Sequence, residues 1–219
     1  PALPLGERAL LAEAAVTQAL SGAQLVDTLA QPSQSRPRRI MAAAPSPDLP
    51  FARLEARAVA SEAPLLGADA TLSRLLASRA DALDLAAHGT LDGTDPLSSS
   101  LWLAPDLQGD GRLELREIFG LPELPALVAL SGCDTGSAAS ATLPWLSLGH
   151  AFLSAGARTV LASQTRVSDL ASALLMKHFF RHVKNEGAAD ALRRAALTVR
   201  ERYPHPAHWA SFMVLGDFR

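Results

Sequence analysis

The sequence predicts a three-layer α/β/α sandwich with a mainly parallel central sheet, and three observations carry that prediction. Short runs rich in apolar residues recur at Ile40 to Ala44, Leu83 to Ala87, Ala126 to Leu130 and Arg158 to Ala162, as strands buried on both faces require. Between them lie segments in which apolar residues return at helical spacing, so strand and helix alternate as in a sheet covered by helices. Two of the runs also stop at a reactive side chain beside glycine. Leu83-Asp84-Leu85-Ala86-Ala87 ends at His88-Gly89, and Ala126 to Leu130 ends at Ser131-Gly132-Cys133-Asp134-Thr135-Gly136.

Size and composition bound the rest. A chain of 219 residues can bury a substantial core, and residues 1–219 read as a single domain. A hydrophobic fraction of 48% with 19% charged residues describes a globular protein. The net charge of -2 gives no electrostatic reason to expect nucleic acid or an anionic membrane as a partner. Aromatics make up 5% of the chain, so Leu, Ala and Val must build the core. The single cysteine forbids an internal disulfide and fits a reducing, cytoplasmic setting. The N-terminus has no basic-then-apolar leader, and no apolar run approaches membrane-spanning length. The chain starts at Pro1, which suggests a piece of a longer protein.

Taken in order, residues 5–20 place Leu10, Leu11, Ala14, Ala15 and Ala19 at a helical period, with Ser21-Gly22 as its stop. Gln24 to Leu29 reads as a short strand, and Gln31 to Arg39 as a proline-punctuated polar loop whose arginines face solvent. After the strand at Ile40 come a helix from Phe51 to Ala60 and another opened by Gly67 to Leu72, with Asp69 as its N-cap. The region Thr90 to Leu121 has a different texture. Leu101-Trp102-Leu103 is its strand, Gly109-Asp110-Gly111 its hairpin turn, and Glu114 to Gly120 a short helix. Asp106 to Gly111 resembles a calcium loop only in part, since no bidentate Glu closes it, and reads as a turn. Leu143 to Gly156, Leu170 to Lys184 and Ala188 to Tyr203 are helices, and Phe212 to Leu215 closes the sheet.

If the His88 and Cys133 strands are parallel neighbours, their C-terminal ends lie side by side, at the edge where open α/β sheets gather ligands and chemistry. Taken alone, a cysteine is usually a small buried hydrophobe. A cysteine and a histidine that both end strands and both adjoin glycine point instead to a thiol nucleophile with an imidazole partner. Cys133 is the only thiol available.

These residues carry a family resemblance. His88-Gly89 after one strand and Ser131-Gly132-Cys133-Asp134-Thr135-Gly136 after another resemble the CHAT group of caspase-like cysteine peptidases, relatives of caspases, separase and gingipains. The resemblance continues through Leu148 to Val160 and His205 to Phe212; it covers Phe51 to the C-terminus, while residues 1–50 match loosely. It implies a caspase-like sandwich and a cysteine endopeptidase acting on protein or peptide substrates, with neither cofactor nor metal. Cys133 would be the nucleophile and His88 the acid that protonates the departing amine. The amides of Gly89 and Cys133 would form the oxyanion hole, and no third catalytic residue is demanded.

Candidate substrate contacts are Asp134 beside the thiol, and Gln164 and Asp169 in the loop after the Arg158 strand. By similarity to separase, Asp169 would favour Arg or Lys at P1, although Thr165 stands where relatives often carry Trp. Asp169 also reads as an N-cap for the helix that follows. In this group such peptidases are often joined to upstream repeat or sensor domains of bacterial defence systems. Two rivals remain: a silent caspase-like scaffold, and an aspartic peptidase suggested by Asp134-Thr135-Gly136, which would need an all-β fold and a second aspartate.

Overall fold

The computed structural model describes residues 4–5, 8–133, 135–138 and 146–219. The chain begins with the short antiparallel strands β1 (Pro4–Leu5) and β2 (Arg8–Ala9), then α1 (Leu10–Glu13), β3 (Thr17–Gln18) and α2 (Gly22–Ala30). Next come β4 (Ile40–Ala44), α3 (Pro50–Val59), β5 (Leu65–Leu66), α4 (Leu72–Ala77) and β6 (Ala82–Leu85). A small antiparallel sheet follows, β7 (Gly89–Thr90), β8 (Ser100–Trp102) and β9 (Arg112–Glu114), then α5 (Leu115–Ile118). The last part holds β10 (Leu127–Leu130), α6 (Leu148–Ser154), β11 (Thr159–Ser163), α7 (Asp169–His182), α8 (Ala188–Arg202) and β12 (Phe212–Gly216).

The seven-stranded central sheet runs β3-β12-β11-β10-β6-β4-β5. Its described pairs are parallel except β11 with β12. The apolar runs become its middle because strands covered on both faces cannot alternate polar and apolar residues; every residue of β6, β10 and β11 is buried. One face packs Ala82, Ala86 and Ala129 against residues of α3, α7 and α8, including Ala56, Phe179 and Leu192. The other packs Leu83, Leu85, Val128 and Leu130 against Leu75 of α4, Ile118 of α5 and Phe152 of α6. These layers make the predicted α/β/α sandwich, and they are incompatible with the all-β fold of an aspartic peptidase.

Several local expectations are corrected. Residues 5–20 do not form one helix; α1 is one turn, and Thr17–Gln18 instead joins the sheet beside β12, where Thr17 Oγ1 donates to Val214 O at 2.9 Å. Ser21 starts a helix rather than ending one, since its hydroxyl accepts the Gln24 amide at 3.1 Å. Gln24 to Leu29 is therefore helix α2, not a strand. Thr71, not Asp69, caps α4 and accepts from Arg74 N, while Asp69 pairs with the Arg74 guanidinium. The tight turn between β8 and β9 falls at Asp106 to Gly109, where Asp106 N donates to Gly109 O at 3.0 Å. Helix α6 begins only at its cap Ser147; residues 143–145 lie outside the described residues.

Candidate active site

Strand register brings the two reactive residues together. In the β6–β10 pair Leu85 lies opposite Leu130, and His88 and Cys133 each stand three positions beyond. The turns touch. An ideal Cβ on Gly132 would stand 2.2 Å from Ala87 O, and one on Gly89 would stand 2.7 Å from Cys133 O. Both distances are to backbone atoms, so only glycine allows this approach. From behind, Trp102 N donates to His88 O at 3.0 Å, and the Gly89–Leu101 pairing ties the histidine turn to the small sheet.

Cys133 is half-buried, and its Sγ points toward Val167 O at 3.7 Å. His88 Nε2 meets Asp48 Oδ2 at 2.9 Å, and this contact holds the Asp48 carboxyl below its ordinary range. Asp48 lies in the loop between β4 and α3, so a third parallel strand contributes to the same edge. The sequence carries no sign of this contact, because nothing local ties a loop aspartate to a histidine 40 positions on.

A small cleft of about 40 Å³ runs from His88 and Cys133 between the sheet and α3, and Ser131, Val167, Asp169 and Ser172 also line it. Glu55 of α3 forms part of its wall, and buried Asp84 lies nearby. Asp84 shares the sheet face of Ala82 and Ala86 by strand alternation, which turns it toward α3. Burial, then the charge of Asp84, pushes Glu55 well above the carboxylate range, while an interaction with Ser131 opposes the rise. Burial raises Asp84 to about 7, held back by its interaction with Glu55. Among the described residues no well-formed hydrogen bond reaches either Asp84 oxygen, Glu55 Oε1, or the hydroxyls of Ser131 and Ser172. The wall of the cleft thus carries carboxyl and hydroxyl groups that lack hydrogen-bond partners among the described residues.

This pair makes stability depend on pH with a definite sign. The unfolded chain releases the Asp84 proton near 4 and the folded chain near 7, so the folded state holds more protons and the contribution falls as pH rises across that window. Asp84→Asn is expected to raise stability at pH 8, by up to about 4 kcal/mol, and to leave it nearly unchanged at pH 4. Thermal melts of both chains across that range check the difference.

The other predicted substrate residues are placed less uniformly. Asp169 lines the cleft, but it is the first residue of α7 rather than its N-cap, which is Ser168. Its Oδ2 accepts the Phe51 amide at 2.9 Å and so caps α3, whose own N-cap residue Leu49 offers no side-chain acceptor. Gln164 is not among the cleft residues; its Nε2 packs behind the cysteine turn, 2.3 Å from where a Gly136 Cβ would stand. Asp134 lies outside the described residues.

The fold and this edge define an α/β sandwich of the kind found in caspase-like cysteine peptidases. The Arg-specific cysteine proteinase gingipain R superposes with a TM-score of 0.61 at 12% identity, over 89% of this chain and 51% of that one. The complex of the Porphyromonas gingivalis RgpB pro- and mature domains gives 0.63 at 11%, over 89% and 52%. The Saccharomyces cerevisiae separase–securin complex gives 0.61 at 15%, over 94% and 14%. The chain therefore spans about half of the gingipain chain and a much smaller part of separase. No curated protein matches it. The CHAT domain family matches residues 2–217, and the chain belongs to that family. Among the described residues no helix is long and apolar enough to cross a membrane.

Proposed function

We propose that this chain is a cysteine endopeptidase that cleaves protein substrates after a basic residue. The observation that supports it best is the joint delivery of His88 and Cys133 to one sheet edge by registered parallel strands, with their turns in backbone contact. Cys133 gives its thiol proton to the His88 imidazole, and its Sγ attacks the peptide carbonyl, forming the C–S bond and placing negative charge on the carbonyl oxygen. That oxygen is received by the amides of Gly89 and Cys133. Collapse of the intermediate breaks the C–N bond, and the imidazolium gives its proton to the departing amine. Asp48 holds Nε2, which leaves Nδ1 for that transfer. Water, losing a proton to the neutral imidazole, then attacks the acyl-enzyme carbonyl; the C–S bond breaks, the acid product leaves, and the sulfur takes the proton back as the thiol.

Specificity is read from the acceptors in the cleft. Glu55 and Asp169 with the hydroxyls of Ser131 and Ser172 line it, Asp84 lies buried against Glu55 behind them, and this set suits a substrate side chain rich in donors; a guanidinium carries five in a planar fork. Such a guest also favours the ionised carboxyls, so productive binding strengthens as pH rises through about 7. Gln164 is left to support the cysteine turn. Control by an upstream sensor region and a cytoplasmic setting, which a single free thiol fits, belong to the same reading.

Digestion of a diverse peptide pool, with cut sites read by mass spectrometry, tests the specificity. Arg is expected at P1, with Lys second, and Asp84→Asn is expected to lower kcat/KM for Arg peptides at least about 10-fold at pH 8. Cleavage with no preference for basic P1 residues overturns the specificity and leaves the peptidase reading standing.

A further inference from the structure

Behind the cysteine turn lies a closed set of hydrogen bonds between Thr135 and Ser163, both fully buried. Ser163 Oγ lies 2.6 Å from Gly132 O, and Thr135 Oγ1 lies 3.2 Å from Leu130 O. Ser163 N donates to Thr135 Oγ1 at 3.1 Å, and Thr135 N donates to Ser163 Oγ at 3.3 Å. Thr135 Oγ1 also lies 3.4 Å from Gly132 O and from Ser163 Oγ, but a hydroxyl has one proton, and the shorter contact to Leu130 O takes it. Ser163 donates to Gly132 O and Thr135 to Leu130 O, while each hydroxyl accepts the other residue's amide. The Gly136 amide adds a bond to Ser163 O at 2.7 Å.

Resting on the peptidase reading above, we propose that Ser163 and Thr135 are positioning residues that set and strengthen the oxyanion hole. Gly132 O and the Cys133 N–H belong to one peptide unit. In a trans peptide they point in opposite directions within one plane, so holding the carbonyl from behind aims the amide forward. Donation to that carbonyl also polarises the peptide and makes the Cys133 N–H a better donor. The second donor is held by the same residue, because Thr135 Cγ2 lies 3.3 Å from the ideal Cβ positions of both Gly89 and Gly132. One methyl therefore packs beneath both turns and spaces them.

The test separates chemistry that builds an oxyanion from chemistry that does not. Alkylation of the thiol by iodoacetamide is a displacement at carbon with no carbonyl oxyanion to stabilise, whereas peptide hydrolysis and addition to a peptide aldehyde both develop one. Ser163→Ala is expected to lower kcat on an Arg-P1 peptide about 10- to 100-fold with KM near that of the parent, and to weaken the aldehyde by a similar factor. Its iodoacetamide rate is expected to stay within about 2-fold. Thr135→Val, which keeps the methyl but loses the hydroxyl, is expected to behave likewise. Thr135→Ser, which keeps the hydroxyl, is expected to retain aldehyde affinity better than Thr135→Val. An alkylation rate that falls in step with kcat, or kcat unchanged in Ser163→Ala and Thr135→Val, overturns the proposal while the peptidase reading stands. A parent chain without Cys133-dependent turnover removes that reading and this inference with it.

Discussion

Cys133→Ala is expected to reduce peptide cleavage to background, a loss of at least about 10⁴-fold, with little change in folding. The chemical loss is total because no second thiol exists in the chain. The structural loss is small. The side chain is half-buried, and its contact to Val167 O is a long sulfur interaction worth under about 1 kcal/mol. His88→Ala is expected to cost about 10²- to 10⁴-fold, the range that removal of a general acid produces. Asp48→Asn should cost less, about 10-fold or below, because water can replace part of the role of so exposed a carboxylate. Initial rates on one Arg-P1 peptide, with a thermal melt of each variant, check the order Cys133, His88, Asp48.

The second large effect follows from the contact between turns. Gly132→Ala places a methyl group 2.2 Å from Ala87 O, and Gly89→Val places its Cβ 2.7 Å from Cys133 O. Neither obstacle is a flexible side chain that can swing away, so the two turns must part and carry the oxyanion donors with them. Loss of one such donor costs about 100- to 1,000-fold in kcat, and each substitution is expected to reach that range. Gly93→Ala supplies the control, since a Cβ there meets nothing within 4 Å. Retained activity in Gly132→Ala would mean that the two turns need not touch for catalysis.

The strands that carry this edge were legible because their signal is local: an apolar run ending in glycine marks both a buried strand and its exit. That is why spacing and pattern place His88 and Cys133 at the ends of neighbouring strands, as the β6–β10 register has them. Near the N-terminus the same reasoning failed at Ser21, whose hydroxyl serves equally well to start a helix or to sit in the turn after one. The acidic floor was hidden for another reason. On a helical wheel Glu55 looks like an ordinary polar residue, and only the packing of α3 onto β6 shows that it is buried. Asp84 did carry a signal. An acid inside a run predicted to be covered on both faces is out of place, and that misfit marks a buried carboxyl. Asp48 and Ser163 reach the site from elements whose neighbours are set by sheet order, which no short window of sequence contains.

Covalent trapping tests the central assignment most directly. Treatment with a peptidyl chloromethyl ketone that carries arginine at its reactive end, followed by intact-mass analysis and fragment mapping, reports which atom the edge makes nucleophilic and whether the imidazole assists. A single adduct on Cys133, formed far more slowly in His88→Ala and absent after denaturation, is the predicted result. An adduct on any other residue, or equal labelling of the native and denatured chains, would contradict it.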